Sequence, residues 1–130
     1  MTRGHTTRLE YIHLHKTGAL LKACVRTGAM IAGANEKLLQ ALTTYAEGIG
    51  LAFQIIDDIL DLTSSSEKLG KTAGKDLLAD KTTYPKLLGM KESKKRAFDL
   101  VEKAKKALEP WGADAKYLIS LADFITNRDR

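Results

Sequence analysis

Apolar residues recur at helical spacing along most of the chain, so the pattern predicts a series of helices. Met1 to Arg8 is a polar lead holding a glycine, a histidine and three threonines; it shows no periodicity and is expected to be flexible. From Leu9 a helical pattern runs to about Ala32, with Ile12, Leu20, Ala23, Cys24 and Met30 among its apolar positions. Gly18, Ala19, Ala23, Gly28, Ala29, Ala32 and Gly33 make this segment rich in small residues, which lets it approach neighbours closely at some cost in helix propensity for each glycine. Gly33-Ala34-Asn35 reads as a turn, with Asn35 as the N-cap of the next helix. That helix is predicted from about Asn35 to Leu62, and Leu38, Leu39, Leu42, Tyr45, Ile49, Ala52, Phe53, Ile56 and Leu60 keep it buried over most of its circumference. Thr63-Ser64-Ser65-Ser66 ends it, and Glu67 to Lys75 is a loop with glycines at 70 and 74 and lysines at 68, 71 and 75. Tyr84-Pro85 opens a short helix through Leu88, closed by Gly89. Two amphipathic helices follow, about Glu92 to Glu109 and Asp114 to Asn127, separated by Pro110-Trp111-Gly112. Their apolar stripes (Phe98, Val101, Ala104 and Leu108, then Tyr117, Leu118, Leu121, Phe124 and Ile125) are expected to face the core. The fold class is therefore all-α.

A chain of 130 residues suits one domain with a sizeable core, and its two prolines fit a helical fold. No apolar run reaches the roughly eighteen residues that a membrane-spanning helix needs, so no membrane span is expected. Met1-Thr2-Arg3-Gly4-His5 leads into polar residues and lacks the apolar core of a signal peptide. A single cysteine, Cys24, forms no internal disulfide, and a cytoplasmic location is the natural expectation, or a plastid for a plant source. The net charge of +5 admits nucleic acid, an anionic surface or phosphorylated small molecules as partners. The lysines between 91 and 106 alternate with Glu92, Asp99 and Glu102, which is the signature of a solvated helix face. No aromatic platform or groove-reading motif accompanies them, so no nucleic-acid partner is expected.

The chemistry concentrates in Phe53-Gln54-Ile55-Ile56-Asp57-Asp58-Ile59-Leu60-Asp61. On a helix, Gln54, Asp57 and Asp61 project from one face, and Gly50 gives that face room. Carboxylates one turn apart repel, and the flanking residues are too apolar for a freely solvated helix. A hard divalent cation removes the repulsion, because Mg²⁺ prefers oxygen ligands and bridges to phosphate while keeping several waters. The segment therefore reads as a helix presenting an Mg²⁺–phosphate site. Lys16-Thr17 offers a charge and a hydroxyl to a phosphate, a weak signal on its own. His13 and His15 are two apart and face different sides of a helix, which suits packing rather than a metal pair. Gly-Lys-Thr at 70–72 is not a P-loop, since the pattern requires glycine where Ser65 stands and a preceding strand that is absent. The glycines of this loop instead let Lys71, with Lys81 beyond it, close over a multiply charged phosphate.

These segments together resemble the trans-isoprenyl diphosphate synthases, the chain-elongating prenyltransferases of the polyprenyl synthetase family. FQIIDDILD resembles their second aspartate-rich motif, His15-Lys16-Thr17 their lysine–threonine element, Leu69 to Leu77 their LGKxxGxD loop, and Asp80 to Pro85 their DKxTYP element. Four motifs in family order cover Leu9 to Pro85, and the wording is most similar to geranylgeranyl diphosphate synthases of cyanobacterial and plastid kind.

The resemblance implies a portion of an isoprenoid-synthase helical bundle and a prenyltransferase activity. An allylic diphosphate ionises with Mg²⁺ assistance, the double bond of isopentenyl diphosphate attacks the cation, and a proton is lost. Carried over, Asp57 is implied as a direct metal ligand, with Asp58 and Asp61 acting directly or through water. Lys16, Thr17, Gln54, Lys71 and Lys81 are implied to contact the allylic diphosphate, Phe53 the isopentenyl tail, and Asp76 the metal's water shell. The family's first aspartate-rich motif has no counterpart, because Asp57-Asp58 is the only Asp-Asp pair. Residues 1–130 are thus expected to be the C-terminal part of one synthase domain, exposing apolar faces that the N-terminal half covers. Such a chain is expected to form a homodimer or to pair with the missing half, and to be inactive alone. The alternative is a non-catalytic small subunit or partner-binding module of a prenyl diphosphate synthase.

Overall fold

The computed structural model describes residues 2–64 and 83–128, and every regular element among them is helical. Helix α1 spans Thr2–His15 and α2 spans Thr17–Ile31. Helix α3 spans Glu36–Ser64, α4 Tyr84–Leu88 and α5 Met90–Ala107. A 3-10 segment, Glu109–Ala115, then leads into α6, Lys116–Asn127.

Helix α3 is the axis of the fold. Its start is fixed by Asn35, whose Oδ1 accepts the Leu38 backbone N–H at 2.9 Å, the cap that the sequence predicts. Behind that cap, α2 closes on Gly33 in the left-handed region (φ 84°), with Ala34 N–H donating to Ala29 O at 2.9 Å and Gly33 N–H to Met30 O at 3.1 Å. This is the glycine-dependent closure that satisfies the last carbonyls of a helix. Tyr45, Ala46, Ile49, Leu51, Ala52, Ile55, Ile56 and Ile59 of α3 are all buried, on more than one side of the helix. Helices α1, α2, α4, α5 and α6 all pack against it. Helix α5 presents Ser93, Ala97, Val101 and Ala104, a narrow stripe of small side chains that lets it lie close to α3. A Cβ at Gly48 of α3 would stand 3.1 Å from the Leu100 carbonyl oxygen and 3.2 Å from Ala104 Cβ. The Tyr45 hydroxyl donates to the Leu118 carbonyl at 2.7 Å and ties α6 to the axis.

Three sequence expectations change. The helix predicted from Leu9 to Ala32 is two helices, broken at Lys16 (φ −98°, ψ −89°). The break lets each half pack on its own terms: α1 buries Leu9 and pairs Glu10 with Arg96, while α2 sets Gly18 against Gly50 of α3. The polar lead, expected to be flexible, is helical from Thr2. Phe98, Tyr117, Leu121 and Phe124, expected in the core, are exposed, Tyr117 to 77% and Phe124 to 61%. Their stripes hold, but only one edge of each stripe meets the rest of the chain, through Val101, Ala104, Leu108 and Ile125. The lysine-rich face of α5 is solvated as expected, with Lys95–Asp99 at 3.1 Å and Lys105 bridging Glu102 and Asp123. Those two carboxylates, Asp123 first, raise the Lys105 pKa.

Candidate functional site

Gly50, Phe53 and Asp57 follow one another on one face of α3, as their spacing requires. Gly18 is buried where α2 crosses Gly50, and a Cβ there would meet Gly18 Cα at 3.5 Å and Leu21 Cδ2 at 3.4 Å. Beyond this crossing α2, α3 and α6 border an open cavity of about 440 Å³. Its walls are mainly hydrocarbon, from Leu20, Leu21, Ile49, Phe53, Phe124 and Ile125, with Cys24 also lining it. Thr17 and Arg128 bring hydroxyl and guanidinium groups to this apolar lining.

Asp57 lies one turn beyond Phe53. Its Oδ1 is 3.5 Å from Arg128 Nη2, and its side chain is half-exposed. Arg128 itself is nearly buried: its guanidinium lies over the Phe53 ring, Cζ 4.2 Å from the centroid, and Nη2 donates to the Phe53 carbonyl at 3.3 Å. Asp61, four residues on, is exposed and continues the same face. Asp58 turns elsewhere. Its Oδ2 is shielded from solvent, and its charge, second to burial, raises the pKa of Tyr84 at the start of α4. Gln54 is half-buried, and Lys16 is exposed at the α1–α2 break, beside Thr17. His15 is exposed, its Nδ1 donating to the Tyr11 carbonyl at 2.9 Å and its ring stacking on Tyr11. Lys71, Asp76 and Lys81 lie outside the described residues.

The structure therefore brings Thr17 and Phe53 to one cavity, which Asp57 meets through Arg128. Among the described residues no group of three acidic, histidine or cysteine side chains is gathered as a closed metal cage. The pair Asp57 and Asp61 suits a different kind of ion, one held by one or two carboxylates, its own waters and the oxygens of a phosphate ligand. Mg²⁺ fits that donor set. Arg128 was not singled out by the sequence; no spacing rule links it to Phe53 and Asp57, which lie on a helix more than half the chain away.

The cavity lining is thus apolar with one hydroxyl and one guanidinium, and Asp57 stands beside that guanidinium. The polyprenyl synthetase family model matches residues 2–118, and the chain belongs to that family. It is 57% identical over 120 residues to a dimethylallyltranstransferase from Fischerella ambigua, covering 92% of this chain and 35% of that protein. It is 53% identical over 122 residues to a chloroplastic geranylgeranyl pyrophosphate synthase from Capsicum annuum, covering 93% of this chain and 33% of that protein. The crystal structure of an FPP/GFPP synthase from Zymomonas mobilis superposes with a TM-score of 0.71 at 34% identity, covering 90% of this chain and 37% of that one. The chain thus spans about a third of the length of the relatives it matches. No helix among the described residues is long and apolar enough to cross a membrane.

Proposed function

We propose that this chain is the C-terminal part of a prenyl diphosphate synthase domain and supplies its second aspartate-rich site, which takes the diphosphate of an allylic substrate. The observation that carries the reading is the contact of Asp57 with Arg128, which lines an apolar cavity together with Thr17. A prenyl diphosphate has matching parts: a hydrocarbon chain for the cavity and a multiply charged head for the rim. In the reaction the allylic C–O bond breaks, the double bond of isopentenyl diphosphate forms a new C–C bond at that carbon, and a proton leaves.

Within this reading Asp57 and Asp61 hold Mg²⁺, which when bound neutralises charge developing on the departing diphosphate. The chain's own residues bind and orient. Thr17 donates its hydroxyl to phosphate oxygen, Lys16 adds charge at the α1–α2 break, and Gln54 offers its amide from the turn between Gly50 and Asp57. The Phe53 ring faces the cavity and borders the isopentenyl tail. Lys71 and Lys81 complete the cationic surround. Asp58 joins Asp57 and Asp61 directly or through water, as the resemblance implies. Leu21 and Ile49 supply hydrocarbon wall to the reacting chain, and covering the exposed Leu20 and Phe124 would complete the exclusion of water that protects a carbocation from hydrolysis.

The exposed Leu20, Tyr117 and Phe124 support a covering surface for this face, from a second copy in a homodimer or from the remaining helices of the synthase domain. Asp57→Ala is expected to abolish Mg²⁺-dependent binding of an allylic diphosphate, read by calorimetry, with far-UV circular dichroism unchanged. Unaltered binding would sink the site assignment. A second reading, a non-catalytic partner module, is favoured by the open α2–α6 face. It predicts association with a full-length synthase that survives Asp57→Ala, and no turnover when the N-terminal half is added.

A further inference from the structure

The end of α6 does two things at once: Phe124 and Ile125 wall the apolar cavity, and Arg128 crosses to α3 to reach Phe53 and Asp57. Arg128 leaves helical geometry at this point (φ −72°, ψ 154°), its own N–H still bonded to Phe124 O at 3.0 Å, so the side chain is aimed by the helix end. Its contacts with α3 are unequal. The guanidinium sits close over the Phe53 ring, at 4.2 Å from the centroid. Nη2, however, is shared between the Phe53 carbonyl at 3.3 Å and the Asp57 carboxylate at 3.5 Å, both longer than a well-formed charged hydrogen bond. At that distance the Asp57 contact is weaker than a close, charge-assisted Arg–carboxylate pair.

We propose that Arg128 is a built-in counter-cation of the diphosphate site: it neutralises Asp57 while no metal is bound, and gives its guanidinium to phosphate oxygens once a cation takes the carboxylate. The inference rests on Asp57 being the metal carboxylate, as argued above. With Asp57 engaged by a cation, Arg128 would lose its carboxylate partner, and phosphate oxygens would then be the better match for its planar five-donor fork. Because the ring contact with Phe53 can persist through the exchange, the movement required is a small rotation at the cavity. The end of α6 is thereby coupled to occupancy of a site on α3.

The test titrates the 130-residue chain with Mn²⁺ alone, read by paramagnetic resonance, and then with inorganic diphosphate in saturating Mg²⁺, read by calorimetry. Arg128→Gln, which keeps a donor for the Phe53 carbonyl, is expected to tighten Mn²⁺ binding about three- to tenfold and to weaken diphosphate binding about tenfold or more, a change of about 1.4 kcal/mol. Arg128→Lys, which keeps the charge without the planar fork, is expected to restore only part of the diphosphate affinity. Changes of opposite sign are the signature, since a purely structural role would move both affinities together; circular dichroism checks that Arg128→Gln is folded, and Arg128→Lys reports on the charge if it is not. Parallel changes, or no change in either affinity, overturn the proposal. Asp57→Asn separates the two claims. If it abolishes Mn²⁺ binding while Arg128→Gln alters nothing, the site stands and the counter-cation role falls. If Asp57→Asn leaves Mn²⁺ binding intact, the site assignment falls and takes this inference with it.

Discussion

Two glycines two residues apart on α3 face different helices, and the same substitution should act on them with opposite sign. Replacing a helix-interior glycine by alanine gains about 0.5–1 kcal/mol, because the unfolded chain loses conformational freedom. At Gly50 the new methyl would meet Leu21 Cδ2 at 3.4 Å and Gly18 Cα at 3.5 Å, ordinary contact distances, so the gain is kept. At Gly48 it would meet the Leu100 carbonyl oxygen at 3.1 Å and Ala104 Cβ at 3.2 Å. A backbone carbonyl inside α5 cannot swing away as a side-chain tip can. The helices must separate, and such overpacking costs about 1–3 kcal/mol. Gly50→Ala is therefore expected to stabilise by about 0.5–1 kcal/mol and Gly48→Ala to destabilise by about 0.5–2 kcal/mol, with the midpoint moving about 4 °C per kcal/mol in a chain of this size. Urea unfolding followed at 222 nm measures both. Equal stabilisation by the two, or a Gly48→Ala protein more stable than Gly50→Ala, would show that α5 does not lie against Gly48 and that the axis carrying Asp57 is held in some other way.

Tyr45→Phe removes the hydrogen bond from α3 to the Leu118 carbonyl and is expected to cost about 1 kcal/mol in urea unfolding. Burial pushes the Tyr45 pKa up to about 12 from 10.0, and Tyr84 shifts in the same direction. The unfolded chain thus loses these protons first: stability is full below about pH 10 and falls as pH rises toward 12, and Tyr45→Phe should flatten part of that decline in a pH series of unfolding curves. Asn35→Ala should destabilise by about 1 kcal/mol, whereas Asn35→Asp, which keeps the acceptor for the Leu38 N–H, should retain most of the stability.

Local signals carried the helices well and the site in part. Asn35 and Gly33 mark the α2–α3 turn because capping and left-handed geometry depend on one residue's own chemistry. Tyr84-Pro85 and Gly89 bound α4 for the same reason. The break at Lys16 has no such marker, since neither glycine nor proline stands there. It follows from where Leu9 and Gly18 must each be buried, and that is a property of the partners, not of the segment. The stripe of Tyr117, Leu121 and Phe124 was legible as a stripe, yet spacing cannot say whether anything in this chain covers it.

The acidic motif shows the same boundary at higher resolution. Adjacent carboxylates on a helix point about 100° apart, so Asp57 and Asp58 cannot serve one face equally. Sequence reasoning placed Asp57 and Asp61 together but left Asp58 with them in the motif. The surroundings of the two neighbours differ: the charge of Asp58 is felt at Tyr84 at the start of α4, while Asp57 meets Arg128 beside the apolar cavity. A pair that reads as a duplicated ligand therefore stands, in the fold, in two different environments.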